Sequence, residues 1–213
     1  MKYSGYIVLV IMVFLAIGCG TKDPLKSSTD GDGALNIMPL RVGNSWTYDF
    51  KVYQPNNPNP IYAFDWTLKI VSTQVINDTT WYLGYHILTD GIEVDTLDYY
   101  YTNLANGLWI RESLASTPFF RVKYPAEQGE VFEAFNELYG IVSAVSVIST
   151  ATSVTVPYGS FQCYNYRMIP SSTFQIDDYF RPGLGWVKSE WRVYDASAGW
   201  YTNLLIELKG TNL

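Results

Sequence analysis

Apolar and polar residues alternate with a period of two through most of this 213-residue chain. In the stretch WTYDFKVY, apolar side chains stand at positions 46, 48, 50 and 52, with polar ones at 47, 49 and 51. Side chains of a β-strand point to its two faces in turn, so this pattern predicts a strand with one buried and one wet face. Few folds other than antiparallel sheets tolerate such a pattern over a whole chain.

Turn sequences rich in Gly, Pro, Asn and Asp interrupt the alternation at short intervals. NDTT (77–80), NLANG (103–107), RPGLG (181–185) and DASAG (195–199) are typical turns. The only weak helix candidate is EQGEVFEAFNELYG (127–140). We therefore predict an all-β fold, a single antiparallel meander forming a curved half-open barrel or sandwich, with at most one or two short helices.

The N-terminus has the features of an export signal. Lys2 precedes an apolar run from Tyr6 to Ile17, which is shorter than the roughly 20 residues of a membrane-spanning helix. Small residues follow, and the segment from Ala16 to Cys19 resembles a bacterial lipobox, although Leu is more usual three places before the Cys. That resemblance implies cleavage before Cys19 and lipidation of the new N-terminus; the alternative is an ordinary signal peptide with an incidental Cys.

The predicted organisation has three parts. Residues 1–18 are a lipoprotein signal peptide, residues 19–36 the lipidated Cys with a flexible polar tether, and residues 37–213 a single antiparallel β domain. A lipidated Cys19 leaves Cys163 as the one other cysteine, so we predict no intrachain disulfide and no thiolate metal site. Cys163 lies in a strand-like run and is expected to be a buried, inert thiol.

The formal net charge is −6, and it becomes −7 when Lys2 leaves with the signal peptide. An acidic chain without clustered Lys and Arg is not expected to bind nucleic acid. Attachment to the membrane is expected through the N-terminal lipid rather than through charge.

Three motifs bracket the domain, namely MPLRVGNSWTYDF (38–50), VTVPYGSFQCYNY (154–166) and YFRPGLGWVKSEW (179–191). They resemble a group of exported bacterial lipoproteins of unknown function, which carry Pro-Leu-x-x-Gly-x-x-Trp near the start and Pro-Gly-x-Gly-x-Val-Lys near the end. The resemblance implies a fold similar to the curved half-barrel of lipoprotein carriers of the LolA and LolB kind. It also implies location in the bacterial cell envelope, with the outer membrane favoured because no aspartate follows Cys19.

The sequence offers little material for catalysis. His86 is the single histidine, which excludes a zinc site of several histidines, and its place in a strand-like run is interpreted as a sheet position rather than a catalytic one. The carboxylate pairs are Asp95 with Asp98, Glu130 with Glu133, and Asp177 with Asp178. We interpret these as solvated acids at turns and strand edges, and Asp177 and Asp178 as pointing to opposite faces. We therefore predict no catalytic residues, no metal and no cofactor; a carboxylate-dependent hydrolase is the less favoured alternative.

Aromatic residues are abundant, with 7 Trp, 18 Tyr and 10 Phe. In DYYYT, Tyr99 and Tyr101 share one strand face and Tyr100 lies on the other, so one face exposes tyrosine. Exposed aromatic rings stack on sugars or line apolar grooves. We predict ligand binding by Tyr99, Tyr100, Tyr101 and Trp109, while ordinary use of aromatics in a β core remains the alternative.

These features favour a membrane-anchored envelope lipoprotein that binds an apolar ligand, a glycan or a partner protein on its curved sheet. A structural or assembly component of the envelope is the alternative. The stretch DDYFRPGLGWVKSEW does not match a dinucleotide loop, because Lys188 stands where the third glycine would be and a strand follows. It is predicted to be a hairpin with a wet rim.

Overall fold

A computed structural model describes residues 36–89, 94–138 and 140–213, and within these ranges it contains twelve strands and no helix. The strands are β1 (Ser45–Val52), β2 (Tyr62–Ile76), β3 (Thr79–Thr89), β4 (Val94–Leu104), β5 (Gly107–Arg111), β6 (Phe119–Lys123), β7 (Val131–Asn136), β8 (Ile141–Val156), β9 (Gly159–Ser171), β10 (Phe174–Arg181), β11 (Gly185–Asp195) and β12 (Gly199–Thr211). The all-β prediction is confirmed. The signal peptide, Cys19 and nearly all of the predicted tether lie outside the described residues, so these remain predictions.

All twelve strands form one antiparallel sheet in the order β6-β5-β4-β3-β2-β1-β12-β11-β10-β9-β8-β7. Consecutive strands pair with each other, except β6 and β7, and at the centre of the sheet β1 pairs with β12. The sheet is thus two meanders of six strands, joined through the first and last strands of the chain.

The two edge strands, β6 and β7, face each other and nearly close the sheet into a barrel. Side chains rather than ladder hydrogen bonds fill this seam: the rings of Phe119 and Phe135 stack with centroids 5.0 Å apart. The Lys123 ammonium lies 2.7 Å from the Glu130 carboxylate. The predicted curved, half-open barrel is therefore confirmed.

The alternation of apolar and polar side chains along the strands determines which residues form the core, as the sequence predicts. In β1 the side chains of Trp46 and Tyr48 are fully buried, whereas Asp49 and Lys51 lie on the outer face. Tyr48 packs on Trp66 of β2 with ring centroids 5.0 Å apart. Burying aromatic rings of this size contributes much of the hydrophobic stabilisation of a sheet core.

One end of the barrel is closed by residues 36–44. Ile37 and Met38 are buried there, and the Gly183 amide donates to the Asn36 carbonyl at 2.7 Å. The indole of Trp46 donates to the Leu184 carbonyl at 2.7 Å. We call this the plugged end. The opposite end, where β1 ends and β2, β8, β10 and β12 begin, is called the mouth.

The weak helix candidate at 127–140 does not form a helix in the residues that the structure describes. Residues 128–129 form a turn, and Val131–Asn136 form β7, which pairs with β8 from Val131↔Ser146 to Asn136↔Ile141. The ladder to β8 satisfies the backbone on one side of the strand, and this outweighs the local helix preference of a short segment rich in Glu. Strand β8 runs from Ile141 to Val156, with register shifts in its pairing with β9.

Candidate ligand groove at the mouth of the barrel

A groove of about 630 Å³ lies at the mouth, between the start of β8 and strands β10 to β12. We call it the mouth groove. It is lined by Ile141, Val142, Ser143, Pro170, Ser171, Thr173, Phe174, Trp191, Val193 and Asn203.

Strand alternation places the apolar part of this lining on the concave side of the sheet. Trp191 and Val193 lie on the same face of β11 as Ser189, which is fully buried. On β8, Ile141 and Ser143 share the face of the buried Val145. Strand β8 approaches β11 and β12 across the interior without pairing to them. The groove is therefore the unfilled end of the barrel interior.

Trp191 forms the floor of the groove and connects it to a chain of polar groups beneath. Its indole donates to the Ser189 hydroxyl at 3.0 Å, and that hydroxyl donates to Asp178 Oδ1 at 2.5 Å. The ring of Phe174 packs edge-on against Trp191 with centroids 5.7 Å apart. The tryptophan is thus held in a fixed orientation by a hydrogen bond and by ring packing.

An arginine and two carboxylates form an ion cluster in the barrel interior. Arg121 of β6 pairs with Glu137 at 2.5 Å and with Asp178 of β10 at 3.1 Å. The guanidinium also lies over the rings of Phe180 and Trp186, each with its centroid 5.3 Å away. We call Arg121, Glu137 and Asp178 the ion cluster; it bridges β6 to β10 across the barrel.

Burial and charge pairing together set the pKa values in the ion cluster. Burial raises the pKa of the Glu137 carboxyl above its usual value, against the opposing effect of Arg121. Burial lowers the pKa of the Arg121 guanidinium, but Glu137 and Asp178 together raise it by more, so the guanidinium is always charged. With both acids ionised the cluster carries one excess negative charge, and a protonated Glu137 would remove it.

The four aromatic residues predicted to bind a ligand are not brought together. Tyr101 is buried in the interior and Tyr99 is half-buried, with its hydroxyl donating to the Glu137 carbonyl at 3.2 Å. Tyr100 lies on the other face of β4, and Trp109 packs edge-on against Phe120 with centroids 4.6 Å apart. None of the four lines the mouth groove.

His86 is part of the core. It is 1% exposed, and one ring nitrogen is hydrogen-bonded to the Tyr101 hydroxyl at 2.5 Å. Burial, together with the positive charge of Arg121, lowers the pKa of His86 to about 3, so the ring is neutral at physiological pH. A neutral, enclosed imidazole packed on the Trp66 ring fills space in the core.

Asp177 and Asp178 point to opposite faces, as predicted, but the prediction of solvated acids on a wet hairpin rim is wrong. Both residues are buried, at 3% and 5% exposure. Asp177 accepts from Arg167 Nε at 2.7 Å and from Gln175 at 2.6 Å on the outer face. Asp178 joins the ion cluster inside. Each acid is desolvated only because a cation meets it on its own face.

In the part of the chain that the structure describes, few other side chains are suited to metal binding or to reaction as nucleophiles. No three metal-ligating side chains converge within these ranges. Cys163 is fully buried, and burial raises the pKa of its thiol to about 12. Among the described residues, no helix has the length and hydropathy to cross a membrane.

No family model matches this chain, and no curated protein matches it. Two solved structures are similar. One, described as an exported protein with a YmcC-like fold from Bacteroides fragilis NCTC 9343, is 12% identical, with a TM-score of 0.48, over 84% of this chain and 100% of its own. The other, described as a lipoprotein from Parabacteroides distasonis ATCC 8503, is 10% identical, with a TM-score of 0.45, over 85% of this chain and 100% of its own. Both likenesses are too distant to support an argument about function, which is inferred from this chain's own residues.

Proposed function

We propose that this protein is a lipid-anchored protein of the bacterial cell envelope that binds a small apolar ligand in the mouth groove, without catalysing a reaction. The observation that carries the proposal is the groove itself, about 630 Å³ in volume, at an unfilled end of the barrel. Mouths of β-barrels are preferred places for ligand sites, and such sites span roughly 300–1,000 Å³.

The lining indicates the chemical class of the ligand. Ile141, Phe174, Trp191 and Val193 offer aliphatic and aromatic surface on the concave side, while Ser143 and other polar groups accompany them. Such a lining suits a ligand with an apolar body and a small polar group. A flat ring system or a short hydrocarbon chain has this character.

The position of the groove agrees with anchoring at the N-terminus. The chain enters the described part at Asn36, which lies at the plugged end, and the groove opens at the opposite end. If Cys19 carries lipid, the anchored segment enters the barrel at the end opposite the groove and leaves the groove free to open away from the membrane. The ligand then arrives from the aqueous side or from another surface of the envelope, with the outer membrane as the proposed location.

The ion cluster favours binding over hydrolysis. Glu137 and Asp178 do converge, but on Arg121, and their side chains are only 4% and 7% exposed. A glycosidase needs two carboxyl groups facing a sugar across an open cleft. Here the carboxyl groups face an arginine in the packed interior, which suits a structural role in holding β6 to β10.

Photocrosslinking in intact cells tests the ligand proposal. Ser143→p-benzoylphenylalanine places a photoreactive ring in the groove, and irradiation is expected to attach an apolar molecule that mass spectrometry of the purified protein identifies. The same replacement at Val75, which is 70% exposed, is the matched control. A second change, Val193→Arg, puts charge into the groove and should abolish the adduct from position 143.

Two outcomes contradict the proposal. One is an adduct that forms equally from positions 143 and 75; the other is no adduct from position 143 in several preparations, which would support the structural alternative. The anchor has its own test. Cys19→Ala should lose both lipid labelling and membrane association, and a labelled, membrane-bound Cys19→Ala protein would contradict the lipobox interpretation.

A further inference from the structure

A second groove, of about 530 Å³, lies on the outer face of the sheet near the mouth, beneath the loop 53–61. We call it the loop groove. It is lined by Tyr53, Gln54, Asn56, Asn57, Pro58, Lys188, Glu190, Tyr201, Thr202 and Leu205. It shares no residue with the mouth groove, and alternation along β11 explains why: Lys188 and Glu190 point outward, whereas Trp191 points inward.

The loop groove is lined by hydrogen-bonding groups that the protein itself does not use. Within the described ranges, the side-chain amides of Gln54 and Asn56 and the hydroxyls of Tyr53 and Tyr201 make no hydrogen bond to another protein group. Asn57 uses only its side-chain oxygen, which accepts from the Asn59 amide at 3.1 Å. Several amide donors and acceptors therefore remain available to a ligand.

The charged residues of the loop groove, in contrast, are already paired. Glu190 accepts from the Thr202 hydroxyl at 2.8 Å and lies 3.4 Å from the Lys188 ammonium. Their charges cancel, so the groove offers no net charge to attract an ion. This favours a neutral ligand.

The loop that covers the groove has a fixed shape. Three prolines in QPNNPNP restrict the backbone, and Asn56 adopts a left-handed conformation with φ of 59°. Both ends of the loop are held to the sheet: the Tyr53 amide donates to the Asn203 carbonyl and the Ile61 amide to Val52, each at 2.8 Å. A preorganised loop loses little entropy when a ligand binds.

The loop groove offers two aromatic rings and several planar amides, and its net charge is zero. One class of ligand matches this combination closely. Sugar rings have an apolar face of C–H groups that packs on aromatic rings. Their neighbouring hydroxyls each donate and accept, which matches the paired donor and acceptor of an amide. We propose that the loop groove binds one or two neutral sugar units of a glycan, through Tyr53 and Tyr201 and through the amides of Gln54 and Asn56.

The experiment uses the full-length protein in a zwitterionic detergent, because detergents with sugar headgroups would compete for the site. The probes are neutral oligosaccharides of glucose, mannose and N-acetylglucosamine, screened on an array and then titrated by calorimetry. The wild-type protein is expected to bind at least one of these series. Asn56→Gly keeps the left-handed backbone but removes the amide, and it should weaken binding at least tenfold, as should Tyr53→Ala.

Two further variants make the result specific. Tyr62→Ala changes a tyrosine that is 65% exposed beside the same loop but outside the groove, and it should leave the affinity unchanged. Tyr201→Phe removes a single hydroxyl without loss of packing, and it should weaken binding while the thermal melting temperature stays the same. The proposal is overturned if no neutral oligosaccharide binds, if Asn56→Gly and Tyr53→Ala bind as the wild type does, or if Tyr62→Ala weakens binding equally.

Discussion

Replacing Arg121 by leucine is expected to destabilise the barrel severely. Arg121→Leu keeps an apolar side chain near the rings of Phe180 and Trp186 but removes the positive charge. Glu137 and Asp178 then remain in the interior with no cation to compensate them. Because a carboxylate buried without a partner is strongly disfavoured, the folded state must either protonate both acids or admit water.

The size of the effect follows from the burial. The side chains of all three residues are at most 7% exposed, so solvent screening is small. Removing one partner of a buried ion pair costs about 3–5 kcal/mol. A domain of this size unfolds with about 5–15 kcal/mol, and each kcal/mol moves the melting temperature by about 2–4 °C. We therefore expect Arg121→Leu to melt about 6–20 °C below the wild type at pH 7.

Thermal and urea unfolding, followed by circular dichroism, measure this effect. The triple variant Arg121→Leu, Glu137→Gln, Asp178→Asn removes the buried charges and should recover at least half of the loss. The deficit of Arg121→Leu alone should shrink at pH 5, because its uncompensated carboxyls take up protons more readily in the folded than in the unfolded state. Arg41→Leu, at an exposed site, is the matched control and should change stability by less than about 0.5 kcal/mol.

Two results would refute this reasoning. If Arg121→Leu melts within about 2 °C of the wild type, the charge of Arg121 is not needed to hold the two acids in the core. If the triple variant melts as low as the single one, packing and not charge compensation explains the loss.

Three further predictions concern the core. The pKa of His86 is about 3 when folded and 6.5 when unfolded, so below pH 6.5 the unfolded state binds more protons; the contribution of His86 alone should lower the free energy of unfolding by about 1.6 kcal/mol between pH 6.5 and 5, and His86→Gln should remove this part of the pH dependence in urea titrations. Gly107→Ala should lower the free energy of unfolding in urea by more than about 2 kcal/mol, because φ is +141° and the new Cβ would lie 2.1 Å from the Val122 carbonyl oxygen. In the control Gly210→Ala the new Cβ meets open space, so this variant should be nearly neutral. The Cys163 thiol should not react with a colorimetric disulfide reagent at pH 8 in the native protein and should react fully in urea; rapid reaction of the native protein would contradict its burial.

The sequence predicts the sheet well, because the information is local. Alternation around Trp46 and turn residues such as Gly183 determine where strands run and end, and the observed β1 falls close to the strand predicted around positions 46–52. The segment 127–140 is the exception. Its strand state depends on the ladder with β8, which is a contact between segments rather than a property of the segment itself.

The candidate sites were much harder to predict. Asp178 alternates like a buried residue, but nothing near it in sequence shows that Arg121, 57 positions earlier, would meet it inside the barrel. The sequence predicts that Phe174 and Trp191 are apolar residues of strands. Which end of the barrel interior stays open follows only from the structure, in which residues 36–44 close the plugged end. Prediction from aromatic content selected Tyr99 to Tyr101, while the loop groove uses Tyr53 and Tyr201 from distant segments.

The pairing of β1 with β12 has a consequence for how the protein is made. Among the described residues, this pairing is the one backbone ladder between the two meanders, and β12 is synthesised after the eleven other strands. A chain cut before Gly199 would consist of a six-strand and a five-strand ribbon, each with a newly exposed hydrogen-bonding edge. Exposed edges of this kind invite pairing between chains. A chain cut before Gly199 should therefore produce aggregates rather than a slightly shortened barrel, although only about a fifteenth of these 213 residues would be missing.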